Sequence, residues 1–288
     1  MVDKTTFIAE VSSNHAQDIG RCVDFIRTAA KVGCDAVKFQ LFKIDQLFAP
    51  EILQKSEDHR ARKKWELPLE FLPELAKESR EHGLLFTCTP FYMEAVSELE
   101  PYVDFYKIAS YELLWDELIQ ACAATGKPLI LSTGMATLHE IAHAVEVFEG
   151  AGGTDLTVLH CVSGYPVPVE ACNLAAIATI RQRFTCDVGW SDHSRNPGVV
   201  HRAIDRFGAN TVEFHLDLDE KGAEYATGHC WLPDEIASVI ATRRALEAAD
   251  GNGIKEPTFA EIDDRLWRAD PSDGLRPFLE VRRAWEKK

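Results

Sequence analysis

The chain has 288 residues, 46% of them apolar and 27% charged, which is enough for one large domain, or one domain with a small appendage, around a sizeable core. Thirty-one Lys and Arg against 46 Asp and Glu leave a formal net charge of −15, the wrong sign for counterion release from nucleic acid or for docking on an anionic membrane. Apolar runs are strand-sized, and Met1 to His15 has neither the basic nor the apolar part of a secretory signal, so a cytoplasmic protein with no membrane partner is expected.

Short runs rich in branched and aromatic residues alternate with longer stretches whose apolar residues recur every three or four positions. Strands are expected at Phe7–Val11, Ala36–Phe42, Leu84–Thr89, Phe105–Ser110, Pro128–Ser132, Leu156–Val162, Asp187–Ser191 and Thr211–Leu216. Helices are expected around Ile19–Val32, Glu70–His82, Tyr92–Leu99, Trp115–Ala124, Leu138–Phe148, Leu174–Phe184, Val199–Phe207 and Pro233–Ala249. Gly33, Gly83, Gly126 and Gly208 can each close a helix in a left-handed conformation. Eight consecutive strand–helix units predict an α/β fold, a closed (β/α)8 TIM barrel over residues 1–250. An open doubly wound sheet would usually carry a nucleotide loop after its first strand, and Glu10–Gly20 has no such pattern. Lys43–Leu67 exceeds the unit length and is highly charged, which reads as a lid or interface loop. The tail Gly251–Lys288, with five Arg, is too short for its own core and is expected to pack on the barrel. Eight scattered cysteines without a C-x-x-C pair fit buried thiols in a reducing compartment.

In such a barrel the chemistry gathers at the C-terminal ends of the strands. Nearly every expected strand ends in a polar residue: Glu10 on the first, Lys38 and Gln40 on the second, Thr89 on the third, and Lys107, Ser110 and Glu112 at the fourth. Ser132 follows on the fifth, Ser163 and Tyr165 after the sixth, Ser191 and His193 at the seventh, and Glu213 and His215 on the eighth. A lysine inside an apolar strand needs a partner or an anion. Lys38 and Lys107 therefore point to an anionic ligand or to pairing with a carboxylate such as Glu10, and the hydroxyls of Thr89, Ser110, Ser132 and Ser191 favour phosphate. His193 and His215, on neighbouring strand tips roughly 5 Å apart, can reach one divalent ion. His139-Glu140-Ile141-Ala142-His143 spells the H-E-x-x-H of zinc peptidases, but it falls on an outer helix.

These segments together resemble the sialic acid synthases, which join phosphoenolpyruvate to an N-acylated amino sugar, and their legionaminic and pseudaminic acid relatives. The resemblance runs through Phe7-Ile8-Ala9-Glu10 with Asn14-His15, Val37-Lys38-Phe39-Gln40, Thr89-Pro90-Phe91, Tyr106-Lys107-Ile108-Ala109-Ser110, Leu131-Ser132-Thr133-Gly134-Met135, Leu159-His160-Cys161-Val162-Ser163-Gly164-Tyr165-Pro166, Ser191-Asp192-His193-Ser194 and Glu213-Phe214-His215. It implies a divalent ion, Mn2+ foremost with Mg2+, Co2+ or Zn2+ as alternatives, on His193 and His215. It also implies a phosphoenolpyruvate site at Lys38, Thr89, Lys107, Ser110, Ser163 and Ser191, sugar contacts at Gln40 and Tyr165, and catalytic carboxylates at Glu10 and Glu112. A homo-oligomer is expected.

The chain departs from the family in two places. It stops without the small antifreeze-like domain, and Lys221–Trp231 replaces the usual Gly-Pro-Asp segment, with Ala226 near the aspartate's place. Glu224 is the expected substitute for the sugar contact, with His229 as the alternative. The reading is a phosphoenolpyruvate-dependent transferase making a nonulosonic acid-like 2-keto-3-deoxy sugar acid. The competing readings are an octulosonate- or heptulosonate-type synthase using Arg265, Arg268 and Arg276 for a second phosphate, a zinc peptidase on His139 and His143, and a non-catalytic sugar-binding protein.

Overall fold

A computed structural model describes residues 5–285. The chain divides into two compact units within one helix, the first ending at Glu247 and the second beginning at Ala248. In the first unit, β1 (Thr6–Glu10), β2 (Ala36–Leu41), β3 (Leu85–Pro90), β4 (Phe105–Ile108), β5 (Leu129–Ser132), β6 (Leu156–Cys161), β7 (Asp187–Asp192) and β8 (Thr211–His215) close into a barrel in sequence order. Every neighbouring pair is parallel, including β1 with β8. The connecting helices are α1 (Ile19–Val32), α2 (Leu72–Glu81), α3 (Met93–Leu99), α4 (Asp116–Ala124), α5 (Leu138–Gly150), α6 (Ala175–Arg183), α7 (Pro197–Asp205) and α8 (Pro233–Ala249). The expected (β/α)8 barrel is the observed fold. No helix among the described residues is long and apolar enough to cross a membrane.

The strand period of two explains how one sequence makes both a core and a site. Outward residues such as Phe7, Val37, Phe39, Leu129, Val158, Val188 and Phe214 pack under the helices in the main core. Inward, Ile8, Ala36, Phe105, Ile130 and Leu159 form a small apolar cluster of their own. Two residues further along the same strands, on the same face, come Glu10, Lys38, Lys107, Ser132 and Cys161, so the barrel interior changes from apolar to polar within one step of the pleat. Gly189 belongs to the apolar layer, because a Cβ there would stand 2.3 Å from the Thr211 carbonyl and 2.6 Å from Leu159 Cδ2. Leu159 fills the space instead.

Local chemistry sets the ends of the elements. The Asp18 side chain accepts from the Arg21 amide to start α1, and Gly33, at φ 94°, closes it. Gly83, Gly126 and Gly208 also have positive φ. Asn196 caps α7 with Pro197 in its first turn, so that helix begins two residues before the expected Val199. β4 ends at Ile108 rather than Ser110, because Ser110–Glu112 turns into a 3-10 helix. Lys43–Leu67 is not an extended loop. It holds one-turn helices at Ile44–Leu47, Pro50–Lys55 and Glu57–Ala61, the second started by Pro50 and the third by the Ser56 side chain, which accepts from the His59 amide.

The second unit carries 3-10 turns at Phe259–Glu261 and Asp264–Trp267 and a helix at Leu279–Trp285. Asp270 organises it by accepting from the Ser272 and Leu279 amides at 3.0 and 2.8 Å, and Trp267 meets Trp285 edge to face.

Candidate active site

A cavity of about 690 Å³ opens at the C-terminal mouth of the barrel. Twelve of the residues expected in a site line it: Glu10, Lys38, Gln40, Lys107, Ser110 and Glu112 from one side, and Ser132, Tyr165, Ser191, His193, His215 and Glu224 from the other. Thr89 and Ser163 do not. Thr89 stands behind Lys38 and accepts from its Nζ at 3.3 Å, and Ser163 packs on Gly134, where a Cβ would lie 2.2 Å from its Oγ and 2.9 Å from Ser110 Oγ. Gly134 is thus held open as a cradle between two hydroxyls, and its amide donates to Ser110 Oγ at 2.9 Å.

The lysines are paired. Lys38 forms an ion pair with Glu10 and lies 3.8 Å from Glu213, while Lys107 lies 3.4 Å from the other oxygen of Glu213. Register brings these groups together, since Glu10 sits beside Lys38 on β2 and His215 on β8, and Ser191 sits beside Glu213. Ser191 Oγ donates to Glu213 at 3.3 Å. Pairing with carboxylates is therefore realised, and Glu213, which sequence reasoning left as one polar strand residue among many, is the hub. Burial would raise its carboxyl, but Lys107 and Lys38, then His215 and His193, outweigh that and hold it ionised below the usual range. Burial pulls Lys38 down to about 8, with Glu213 opposing and Lys107 reinforcing.

Two features of this tier still ask for a ligand. Ser132 Oγ and Ser163 Oγ are buried with no hydrogen-bond partner among the described residues, and such groups are costly unless something else supplies the bond. Glu112 has one buried oxygen in the same condition. Burial raises its carboxyl to about 7, against the pull of Lys107 and its own backbone amide, which makes it half-protonated near neutrality.

Histidines fill the opposite wall. His193 Nδ1 is 2.9 Å from the Val162 carbonyl, which leaves its other nitrogen free in the arrangement of a metal-ligating imidazole with its outer partner, and His215 Nδ1 is 2.9 Å from Glu224 Oε2. Their ring centroids are 5.3 Å apart. Burial lowers both, His215 to about 4, so the rings are neutral and their free nitrogens carry lone pairs. The pair fits a divalent ion. Tyr165 covers His193 at 4.2 Å between centroids.

Sequence reasoning missed one further contribution and left two others, Asn14 and His229, without a settled role. Asn14, on the β1–α1 connection, accepts from the Glu224 amide at 2.8 Å and donates to the Leu216 carbonyl at 3.0 Å. Arg62, Trp65 and Phe48 from the charged segment after β2 line the outer cavity, and an aromatic pair inside a charged run was the available signal. His229, named only as an alternative to Glu224, is buried in the mouth with its ring 4.5 Å from that of His215. His139 and His143 build nothing comparable. Glu140 closes the capping box with Thr137 that starts α5, and exposed His143 pairs with Asp116 on α4 at 2.8 Å.

Comparison with known proteins settles the family. The profile of the NeuB family matches residues 25–255. The chain belongs to the NeuB family. It is 36% identical over 265 residues to an uncharacterised protein of Methanocaldococcus jannaschii, covering 91% of this chain and 76% of that one. It is 33% identical over 271 residues to an N,N'-diacetyllegionaminic acid synthase of Campylobacter jejuni, covering 90% and 81%. Its fold matches the crystal structure of an N-acetylneuraminic acid synthetase from Leptospira borgpetersenii in complex with citrate with a TM-score of 0.78 and 27% identity, over 99% of this chain and 94% of that one. As a NeuB protein it is an enzyme, a transferase of the nonulosonic acid synthase type.

Proposed function

We propose that this NeuB protein condenses phosphoenolpyruvate with the aldehyde of an N-acylated amino sugar, N-acetylmannosamine or a relative, to give a 2-keto-3-deoxy sugar acid and phosphate. The observation that carries the reading is the polar tier itself: two buried lysines bridged by Glu213 beside unpartnered serine hydroxyls. The names of the relatives, legionaminic and pseudaminic acid synthases, support the product class.

Lys38 and Lys107 face the phosphate and carboxylate of phosphoenolpyruvate, with Ser110, Ser132 and Ser191 adding hydroxyl donors. Holding the enol ester there presents its C3 to the aldehyde carbon above, where Gln40 and Tyr165 contact the sugar. The new bond runs from C3 to that carbon, the former aldehyde oxygen takes a proton, and a water adds at C2. Glu112, poised near neutral pH, accepts the water proton. The resulting tetrahedral carbon collapses to a ketone as the bond from C2 to the phosphate-bearing oxygen breaks, the hydroxyl that came from water loses its proton, and inorganic phosphate leaves. Glu10, bound to Lys38 and to the Ser12 amide at 2.6 Å, orients the lysine. A divalent ion on His193 and His215, Mn2+ foremost, would supply Lewis-acid polarisation of the aldehyde oxygen.

The test is a panel of aldoses with phosphoenolpyruvate and Mn2+, read by phosphate release and product mass. Release with at least one N-acylated amino sugar and the mass of its adduct is expected. No release with any of them, together with no calorimetric binding of phosphoenolpyruvate, would overturn the reading.

A further inference from the structure

The chain leaves β8 at His215 and returns to the barrel at Trp231, which bridges to Leu216. Both ends of the intervening loop are tied: the Trp231 amide donates to the His215 carbonyl at 2.8 Å, and the Asp217 amide donates to the Trp231 carbonyl at 2.9 Å. Trp231 is fixed from its other side by Asp192, which accepts from the indole at 3.0 Å. Within the loop, Gly222 passes so close to Asn14 and Asp217 that a Cβ would fall 2.4 and 2.3 Å from their side-chain oxygens. Asn14 then holds the Glu224 amide, which aims the Glu224 carboxylate and the His229 ring into the mouth.

One oxygen of Glu224 accepts from the Ser12 hydroxyl. The other lies 2.9 Å from His215 Nδ1 and 3.6 Å from His229 Nε2. The second distance is too long for a hydrogen bond, and His229 Nδ1 is already engaged at 2.7 Å with the Thr227 hydroxyl. Two ligands on one divalent ion, with bonds of ~2.1 Å, lie about 3.0 to 3.5 Å apart. The two distances from Glu224 Oε2, 2.9 and 3.6 Å, fall just below and just above that spacing, and with Cys230 all four donors lie within 4.8 Å of one another. The His193 ring stands across the same space, 5.3 Å from His215 and 6.1 Å from His229.

We propose that Glu224 and His229 are metal ligands together with His215, so that the loop after β8 converts a site of two strand-borne histidines into a nitrogen-rich set of histidines and one carboxylate. This rests on the metal dependence proposed above, and the loop's role in it is specific to the residues between Gly222 and Trp231. Such a set favours Co2+, Zn2+ or Fe2+ over the oxygen-seeking Mg2+. Glu224 then belongs to the metal rather than to the sugar.

The experiment reads metal binding without turnover. Co2+ affinity is measured by chelator competition and its visible absorption recorded for the wild type, His229→Gln and Glu224→Gln, with phosphoenolpyruvate calorimetry on each as the control for an intact barrel. Each substitution is expected to weaken Co2+ about 10- to 100-fold and to change the spectrum, with phosphoenolpyruvate binding retained. Wild-type affinity and an unchanged spectrum in either variant would overturn the proposal. Because a variant can misfold, the wild type is also loaded with Mn2+ and its imidazole nitrogens counted by pulsed electron paramagnetic resonance. Three or more are expected, and two would overturn it. Failure of the synthase reading shows separately, as wild-type protein that binds metal but neither binds phosphoenolpyruvate nor releases phosphate.

Discussion

The barrel mouth is built in two ways. Glu10, Lys38, Lys107, Ser191 and Glu213 ride on strands whose pairing fixes each relative to the next, and they are almost wholly buried. Glu224 and His229 ride on a loop, held in place by a side-chain clasp from Asn14 and by the space that Gly222 leaves open. The lesson is that the anion half of this site costs little to specify once the barrel closes, because register does the positioning. The loop half needs individual residues to position it.

That contrast breaks first at the lysines. Lys38→Ala and Lys107→Ala should each lower kcat/KM by at least ~10²-fold, the scale of losing one preorganised donor, and weaken phosphoenolpyruvate by about 2–5 kcal/mol. Lys38→Ala also leaves Glu10 and Glu213 short of a cation and should cost about 3–5 kcal/mol in urea unfolding. Unchanged calorimetric affinity in both variants would reduce the strand tier to a structural ion-pair network.

Glu112→Gln comes next, with turnover falling by roughly 10²- to 10³-fold. In the wild type the rate should drop as pH falls through about 7, because Glu112 then takes up the proton it must lack to act as a base. The glutamine variant should show a pH–rate profile without that limb. A limb that persists in the variant assigns the titration to another group.

Gly222→Ala sharpens the comparison from the loop side. The added methyl must displace Asn14 or Asp217, at about 1–3 kcal/mol, and hydrogen exchange should speed up in residues 217–230 while the strand amides keep their protection. Equal acceleration in both places would mean that the loop and the barrel are one cooperative unit. The smallest effect is expected for Glu140→Gln, which touches only the exposed cap of α5 and should leave turnover unchanged. A large loss there would return the H-E-x-x-H pattern to the chemistry.

The same division explains what could be read from the sequence. Ile8 with Glu10, and Ala36 with Lys38, show the pleat's period of two, so the barrel and its polar tier follow from pattern alone. Pairing of Lys38 with Glu10 was among the expected alternatives, but that of Lys107 with Glu213 could not be read, because it depends on β4 and β8 facing one another across the closed barrel. His229 was nearly invisible, since its place is set by a glycine, an asparagine some two hundred residues earlier and a tryptophan anchored on Asp192, none of which forms a periodic signal. The short helices of Lys43–Leu67 fall below the length at which periodicity shows, and only the Ser56 and Pro50 starts mark them.

The mutual pairing of Glu10, Lys38, Lys107 and Glu213 has a kinetic consequence. These two cations and two anions cancel one another, whereas the chain carries −15 overall. Beyond a Debye length of about 8 Å in physiological salt, an arriving trianion meets the repulsion of the surface rather than the attraction of the lysines. Its association rate should therefore rise with ionic strength in stopped-flow measurements, the reverse of electrostatically steered capture, and a rate that falls with added salt would show that the entrance carries an attractive field.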